Sequence, residues 1–444
     1  MGKGTGSNAM PLKRLFVFAA LPLLAVVPGF AHAAAAFDVD HAAQLYLATL
    51  SAPARARSDA YFEGGTWLAL WGALVSVTLC WFLLRVRLLP KVRTAMHRRG
   101  WRPWLGVLAC ALVFIAADTL LSLPWTFYTG YWRERQYGLM NQSVGAWLGD
   151  QATGLVLSAV LGSVLLLVIY AVIRKYPRHW WLIGTGVVSV AITVLALIAP
   201  VFIEPLFNTQ SELPDGPVRS RVVAMAKAYN VPSEHIYLVD ASRQSDRISA
   251  NVSGIGPTIR ISLNDNLLKR SSLAETAAVM GHELGHYVLG HVWRRIVVLT
   301  LLMGLLLWLA SRIAPALIRY GGRRWDVRGL GDPASLPVLA GVLSVLSLFV
   351  TPLTNTLIRV DESEADVFGL DAAREPDGFA SAAMKLSTYR KIAPGPLEEM
   401  LFFDHPSGRT RVYMAMQWKK DHVPNAAEVV PPPLSPTTSP EPQP

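Results

Sequence analysis

Six apolar runs divide this 444-residue chain: Trp67 to Leu84, Trp104 to Leu123, Leu155 to Ile173, Leu182 to Ile203, Ile296 to Ile318 and Leu336 to Leu353. Each approaches the ~20 helical residues that a bilayer core demands. The pattern predicts a mainly α, polytopic transmembrane helical protein with six spans. A shorter run, Leu15 to Phe30, follows Lys13 and Arg14 and precedes Ala31-His-Ala33; it reads either as a cleaved signal peptide or as a seventh, first span. Between the fourth and fifth runs lies the one long polar stretch. Val218 to Ala228 has helical periodicity there, Ile236 to Val239 reads as a short strand, and Thr258 to Ser262 alternates like a half-buried strand behind a turn or bulge at Gly254 and Gly256. A small β-sheet is therefore expected. The Pro-, Ser- and Thr-rich stretch from Val423 onward reads as a disordered tail. The domain boundaries that follow are 1–34 for leader and first apolar segment, 35–203 for an N-terminal membrane region, 204–422 for a catalytic region carrying the last two spans, and 423–444 for the tail.

The polar stretch ends in a helix whose start is marked. Ser272 followed by Glu275 forms a capping-box pattern, and Leu273 to Val292 contains no proline. The helix is expected to continue through Val292 and Arg295 into the Ile296 run. On it stand His282, Glu283 and His286, an HExxH motif. Residues four apart share a helical face, so both imidazoles can reach one zinc ion while Glu283 faces its open coordination position. Zinc lowers the pKa of bound water to roughly 7, and a nearby carboxylate can take the proton as that water attacks an amide carbonyl. Two histidines on a helix are equally the signature of satisfied core side chains, so a third ligand matters. Glu362 and Asp366, four apart in the segment Arg359 to Asp366, can supply it: Glu362 as ligand, Asp366 accepting from a ligand histidine. The competing reading is a solvated acidic helix start. Gly281, Gly285 and Gly290 lower helix stability by up to ~1 kcal/mol each, so they indicate close backbone approach or plain tolerance in a buried helix. His291, five past His286, reads as turned off the metal-binding face.

Composition and charge sharpen the class. Hydrophobic residues make up 52% and charged ones 16%, with a mean hydropathy of +0.34, which fits a membrane protein and not an ordinary soluble domain. The net charge of +10 does not indicate nucleic acid, because it is concentrated between spans. Arg85 to Arg102, Arg174 to Arg178 and Arg319 to Arg328 carry the basic clusters. All three fall on one side when the spans are threaded in order, and basic loops stay cytoplasmic. The HExxH segment then lies on the other side, periplasmic if the membrane is a bacterial inner membrane. Cys80 and Cys110 each sit in an apolar run, which excludes a disulfide framework and a cysteine metal site. Asp118, inside the second run, reads as facing a cavity or a partner group.

Gly281-His-Glu-Leu-Gly-His286 together with Glu362-Ser-Glu-Ala-Asp366 resembles the CAAX prenyl protease type 1 family and the related HtpX-type membrane proteases. Leu123-Pro-Trp-Thr-Phe-Tyr128, Arg135 to Asn141, Pro205-Leu-Phe-Asn208 and Asp404-His-Pro406 with Arg411 resemble further family segments in the same order, so the likeness spans roughly Leu105 to Trp418. It implies a zincin-like metalloendopeptidase with one Zn2+ held by His282, His286 and Glu362. It also implies Glu283 as general base, Asp366 supporting a ligand, and His405 and Arg411 stabilising the oxyanion or holding the substrate backbone. Ser249, Ala250, Asn251, Val252 and Ser253 fall where relatives carry an edge strand that pairs with substrate. Here Ser249 replaces the family's asparagine and Asn251 its aromatic residue. The resemblance further implies seven spans, a chamber within the bilayer, and polypeptide substrates that are membrane-associated or prenylated. Two alternatives stay open: a membrane-protein quality-control protease without prenyl specificity, and a non-catalytic zinc-binding membrane scaffold.

Overall fold

The computed structural model describes residues 37–434; the segment read as a signal peptide or first span and the tail residues 435–444 lie outside it. From Phe37 onward the chain is one compact unit, so the compositional change at residue 203 is not a gap in packing. Helix α1 (Val39–Leu47) leads into α2 (Ala52–Arg85), α3 (Leu88–Arg98), α4 (Pro103–Gln136), α5 (Val144–Lys175) and α6 (Trp180–Leu206). Strand β1 (Gln210–Glu212), α7 (Pro217–Ala228), β2 (Ile236–Val239), β3 (Ala250–Ser253) and β4 (Arg260–Asn264) follow. The chain closes with α8 (Leu273–Val288), α9 (His291–Trp325), α10 (Leu336–Ala373), α11 (Pro376–Leu386) and α12 (Gly408–His422). Among the described residues six helices are long and apolar enough to cross a membrane: α2, α4, α5, α6, α9 and the helix containing α10. They coincide with the six apolar runs, and the protein is an integral membrane protein.

The bundle packs around Tyr170, Trp180, Leu307 and Leu339, while many aromatic and aliphatic side chains, Trp67, Trp71 and Leu301 among them, point outward. That inversion is what a lipid-facing surface requires, since apolar helices gain nothing by hiding from hydrocarbon. The three basic loops meet at one end. Arg87 donates from Nε to the Arg324 carbonyl at 2.9 Å, Arg93 binds Asp326 and Asp332, and Arg174 donates from Nε to the Gly331 carbonyl at 2.9 Å.

At the opposite end of α9 and α10 sits a four-stranded sheet in the order β1-β2-β4-β3. β2 and β4 are parallel; β1 and β3 pair antiparallel to them. Ile236, Ile261 and Leu263 from the sheet interlock with Ala277, Met280 and Leu284 of α8. β1 and β3 are too short and polar for periodicity to reveal. The helix at 218–228 and the strand at 236–239 appear as expected; the strand read at 258–262 runs Arg260–Asn264, because Gly256–Thr258 close a short helical turn, and Gly254 and Gly256 take φ of 91° and 58° at the expected turn.

Two expectations fail. The HExxH helix does not run on into the next span: it stops at Val288, Gly290 adopts a left-handed φ of 69°, and α9 starts afresh at His291. Glycine reaches that backbone region without steric cost, so this is a helix terminator. Nor is the tail wholly free. Within the described residues Glu428 lies 2.7 Å from His41, and Leu434 donates its N–H to the Thr49 carbonyl at 3.1 Å. The prolines there lose nothing by lacking a donor, and Val423 and Leu434 pack on the cluster around α1 and α12.

Candidate metal centre

Helix α8 is nailed at its start by the capping box: Ser272 Oγ accepts from the Glu275 N–H at 3.2 Å, and Glu275 accepts from the Ser272 N–H at 2.6 Å. Its far half crosses α10 at very short range. A Cβ at Gly281 would lie 2.9 Å from the Gly369 carbonyl oxygen, and one at Gly369 would lie 2.8 Å from the His282 nitrogen. Gly285 faces Phe368 and Ala365 in the same way. These glycines therefore set backbone approach, whereas Gly290 terminates the helix. The consequence is that residues 281–286 of α8 and 362–369 of α10 share one small volume.

In that volume His282 Nε2 lies 3.1 Å from His286 Nε2 and 3.1 Å from Glu362 Oε2, and His286 Nε2 lies 3.3 Å from Glu362 Oε1. Zn–N and Zn–O bonds of about 2.0–2.1 Å at tetrahedral angles put ligand atoms roughly 3.3 Å apart. His282, His286 and Glu362 are thus spaced as one tetrahedral ion would space them. His282 turns Nδ1 to Asp366 Oδ1 at 2.7 Å. Asp366, fully buried, is gripped in turn by Arg411, whose Nε donates to Oδ2 at 2.8 Å and one Nη to Oδ1 at 2.5 Å. Burial by itself would lower the proton affinity of His282, but its hydrogen bonds to Asp366 and Glu362 win and push its pKa up to about 9. The carboxylates that raise it, Asp366 and Glu362, would equally stabilise a divalent cation held by the imidazoles. This is the physical sense in which the donor set fits a metal.

Glu283 makes no hydrogen bond or ion pair among the described residues. Its carboxylate lines a cavity of about 310 Å³ shared with both histidines, Glu362, Tyr389 and His405, and burial pushes its pKa up to about 7. His405 sits across the cavity, with Nε2 3.3 Å from Glu362 and Nδ1 2.8 Å from Asp404. Burial, outweighing the Asp404 contact, holds the imidazole below its usual pKa. Arg411 is buried and lines the same cavity; Nε and one Nη are committed to Asp366, which leaves its other Nη for substrate. Of the five residues expected in the substrate strand, Ser249 and Ala250 line the cavity and Asn251 to Ser253 continue away from it along β3. β3 is the edge strand beside α8, and among the described residues no strand pairs with its outer side.

His291, read from the sequence as off the metal-binding face, meets the far nitrogen of His286 and is outside the candidate ligand group, and nothing in the local sequence gives Arg295 a part in the site. His291, 1% exposed, faces His286, and Arg295 donates from Nε to Asp361 at 2.7 Å and from Nη2 to Glu362 at 3.2 Å. Both belong to the first two turns of α9. An unbroken helix would carry His291 away from His286; the break at Gly290 resets its direction onto Nδ1, the side of the ring away from the candidate metal position, and the glycine was the available signal. Tyr389 and Phe379 line the cavity without any local motif to announce them.

Comparison with known proteins agrees in both halves of the chain. The family described as Peptidase family M48 matches residues 212–419, and "CAAX prenyl protease N-terminal, five membrane helices" matches residues 46–209. An uncharacterized metalloprotease of Bacillus subtilis, YhfN, is 28% identical over 77% of this chain and 81% of its own. The human CAAX prenyl protease 1 homolog is 26% identical over 70% of this chain and 74% of its own. Among solved structures, that of Ste24p from S. mikatae superposes with a TM-score of 0.70 at 20% identity, covering 85% of this chain and 96% of the other. The last of these is a likeness of fold.

Proposed function

The chain belongs to peptidase family M48 as a membrane metalloprotease related to the CAAX prenyl proteases, and from that premise we propose that it is a zinc endopeptidase cutting membrane-associated or prenylated polypeptides. The observation that carries this reading is the convergence of His282, His286 and Glu362 within 3.3 Å of one another beside a Glu283 carboxylate with no hydrogen-bond or ion-pair partner among the described residues. These three residues would hold the ion, and bound there zinc would supply a Lewis acid that activates water and polarises the scissile carbonyl.

The remaining roles belong to the chain. Glu283, with a proton affinity near neutrality, takes a proton from the attacking water and returns it to the leaving amine as the C–N bond breaks. Asp366, held by Arg411, fixes His282 in the tautomer that presents Nε2. His405, with Nδ1 at Asp404 and Nε2 beside Glu362, faces the cavity where it can meet the oxyanion or the substrate backbone. The β3 edge receives an extended substrate by strand addition.

For placement, the basic loops gather at one end and the candidate metal centre at the other. Basic loops kept in the cytoplasm would put the site on the periplasmic side of a bacterial inner membrane. A topology reporter fused at Ser211 tests this, and activity confined to the cytoplasm would overturn it. For the chemistry, purified wild type and Glu283→Gln are compared on an unstructured peptide and on its farnesylated counterpart. Cleavage by wild type alone supports the mechanism. Preference for the farnesylated peptide supports a prenyl substrate, equal rates favour general membrane-protein turnover, and equal cleavage by both proteins would sink the mechanism.

A further inference from the structure

The end of the bundle opposite the metal centre holds a second polar cavity, of about 380 Å³, where the three basic loops and the start of α4 meet. Its wall carries four guanidinium groups, those of Arg93, Arg102, Arg174 and Arg328, together with His97 and Trp101. One carboxylate, Asp332, faces them. It is already spent: it accepts from Arg93, from the Arg328 N–H at 2.9 Å and from the Ala334 N–H at 3.1 Å. Asp326 accepts from Arg93 as well, at 3.0 Å. Arg93 is thereby neutralised, although its Nε is buried without a hydrogen-bond partner.

The other three arginines are not neutralised. Arg174 spends only Nε, on the Gly331 carbonyl. Among the described residues the side chains of Arg102 and Arg328 make neither a hydrogen bond nor an ion pair. Membrane topology explains why such residues occur in these loops, but that rule needs only their presence on one side, and they could be spread through solvent. Here three separate segments bring exposed, uncompensated arginines to the lining of one concavity, where a bound anion would relieve their mutual repulsion. Planar guanidinium forks match phosphate oxygens in pairs. Trp101 and Trp104, 49% and 47% exposed, flank the start of α4 at the level where indole rings meet headgroups.

We propose that this cavity binds a phosphate group through Arg102, Arg174 and Arg328, with the phosphodiester of an anionic phospholipid as the ligand its position at a span end favours. The site is independent of the protease reading.

The test uses the full chain purified in detergent. Native mass spectrometry compares binding of phosphatidylglycerol and phosphatidylcholine at equal concentration, and thermal unfolding is followed with and without inorganic phosphate. Wild type should retain phosphatidylglycerol over phosphatidylcholine, a measurement that needs no variant to fold. Arg102→Gln/Arg174→Gln/Arg328→Gln should reduce that retention by about tenfold. Arg319→Gln/Arg323→Gln/Arg324→Gln removes equal charge from the same end outside the cavity, and should leave it intact. Stabilisation of wild type by inorganic phosphate, lost only in the cavity variant, would support the site and assign it to free phosphate. Absence of both a lipid preference and a phosphate effect, or equal losses in the two triple variants, would overturn the proposal in favour of diffuse basic charge.

Discussion

His291 Nδ1 lies 2.8 Å from Nδ1 of His286, and His291 Nε2 lies 3.2 Å from Glu364 Oε2. Two ring nitrogens this close need one proton between them. His286 presents Nε2 to Glu362 and His282, so the consistent assignment has His286 Nδ1–H donating to His291 and His291 Nε2–H donating to Glu364. Glu364 is held by Arg294, which also binds Asp361; Asp361 accepts from Arg295, and Arg295 donates to Glu362. A ring of contacts thus leaves the candidate metal centre through His286 and returns through Glu362. The expected outcome is that His291→Ala weakens zinc binding by about 10- to 100-fold, the range for losing such a supporting partner. His291→Asn, which can still accept from His286, should lose less. Competition with a chromophoric chelator reads the affinity directly, and wild-type affinity in His291→Ala would show the contact to be incidental.

The close crossing of α8 and α10 predicts a second defect that begins in packing. A methyl at Gly369 would meet the backbone nitrogen of His282 at 2.8 Å, and neither helix can yield without moving a ligand. Overpacking of this kind costs typically about 1–3 kcal/mol. Gly369→Ala should therefore unfold at lower temperature in detergent and also lose zinc affinity. Gly290→Ala should destabilise without a clash, since nothing lies within 4 Å of its Cβ position and only its left-handed φ is strained. Normal zinc affinity in Gly369→Ala would show that helix separation does not set the site.

Much of this centre was legible in the chain because its information is local. HExxH spacing, the Ser272–Glu275 cap and the apolar run lengths each rest on contacts within one or two helical turns. What was not legible depends on direction after a break. Gly290 turns the chain, so helical phase counted from His286 does not bring His291 against the far nitrogen of His286 or Arg295 against Glu362. Arg411, expected at the oxyanion or the substrate backbone, lines the cavity and also grips Asp366, a pairing across 45 residues that no periodicity encodes. β1 and β3 are strands because β2 and β4 pair with them, not because Gln210 to Glu212 or Ala250 to Ser253 have a pattern of their own.

The N-terminal turn of α8 carries a pH-dependent tie to α11. Burial alone would raise the pKa of Glu275, but hydrogen bonds from Lys385 at 2.8 Å, from Ser381 and from the Ser272 N–H outweigh it and hold the carboxyl below the ordinary glutamate range. A folded pKa below the unfolded one contributes stability that is present above the unfolded value, about 4.3, and is lost as pH falls through the folded value. Glu275→Gln should therefore cost about 1–3 kcal/mol at pH 7, the range for hydrogen bonds to a charged group. The gap to wild type should close as the buffer is taken below the ordinary glutamate range. Thermal unfolding across pH 3 to 7 measures it, and a gap that stays constant with pH would refute the ionic origin.

Strand addition at β3 predicts a periodicity in the substrate. The Ser249 carbonyl accepts from the Asn264 N–H at 3.0 Å, so Ser249 turns its backbone groups toward β4, and Asn251, opposite Ser262, does the same. In an antiparallel ladder the N–H and C=O of one residue point to the same side, and sides alternate along the strand. Ala250 and Val252 consequently present their N–H and C=O to the unpaired edge, Ala250 beside the cavity that holds Glu283. An extended peptide laid there would bond through every second residue. A series of substrates N-methylated at one position each should then alternate. Methyl groups on the inward residues should lower kcat/KM by about 3- to 10-fold, equivalent to ~1 kcal/mol for a lost hydrogen bond. Methyl groups on the residues between should be tolerated. The effect should fall mainly on KM, because these bonds hold the chain equally before and during hydrolysis. A flat profile along the peptide would mean that side-chain pockets, not the β3 edge, hold the substrate.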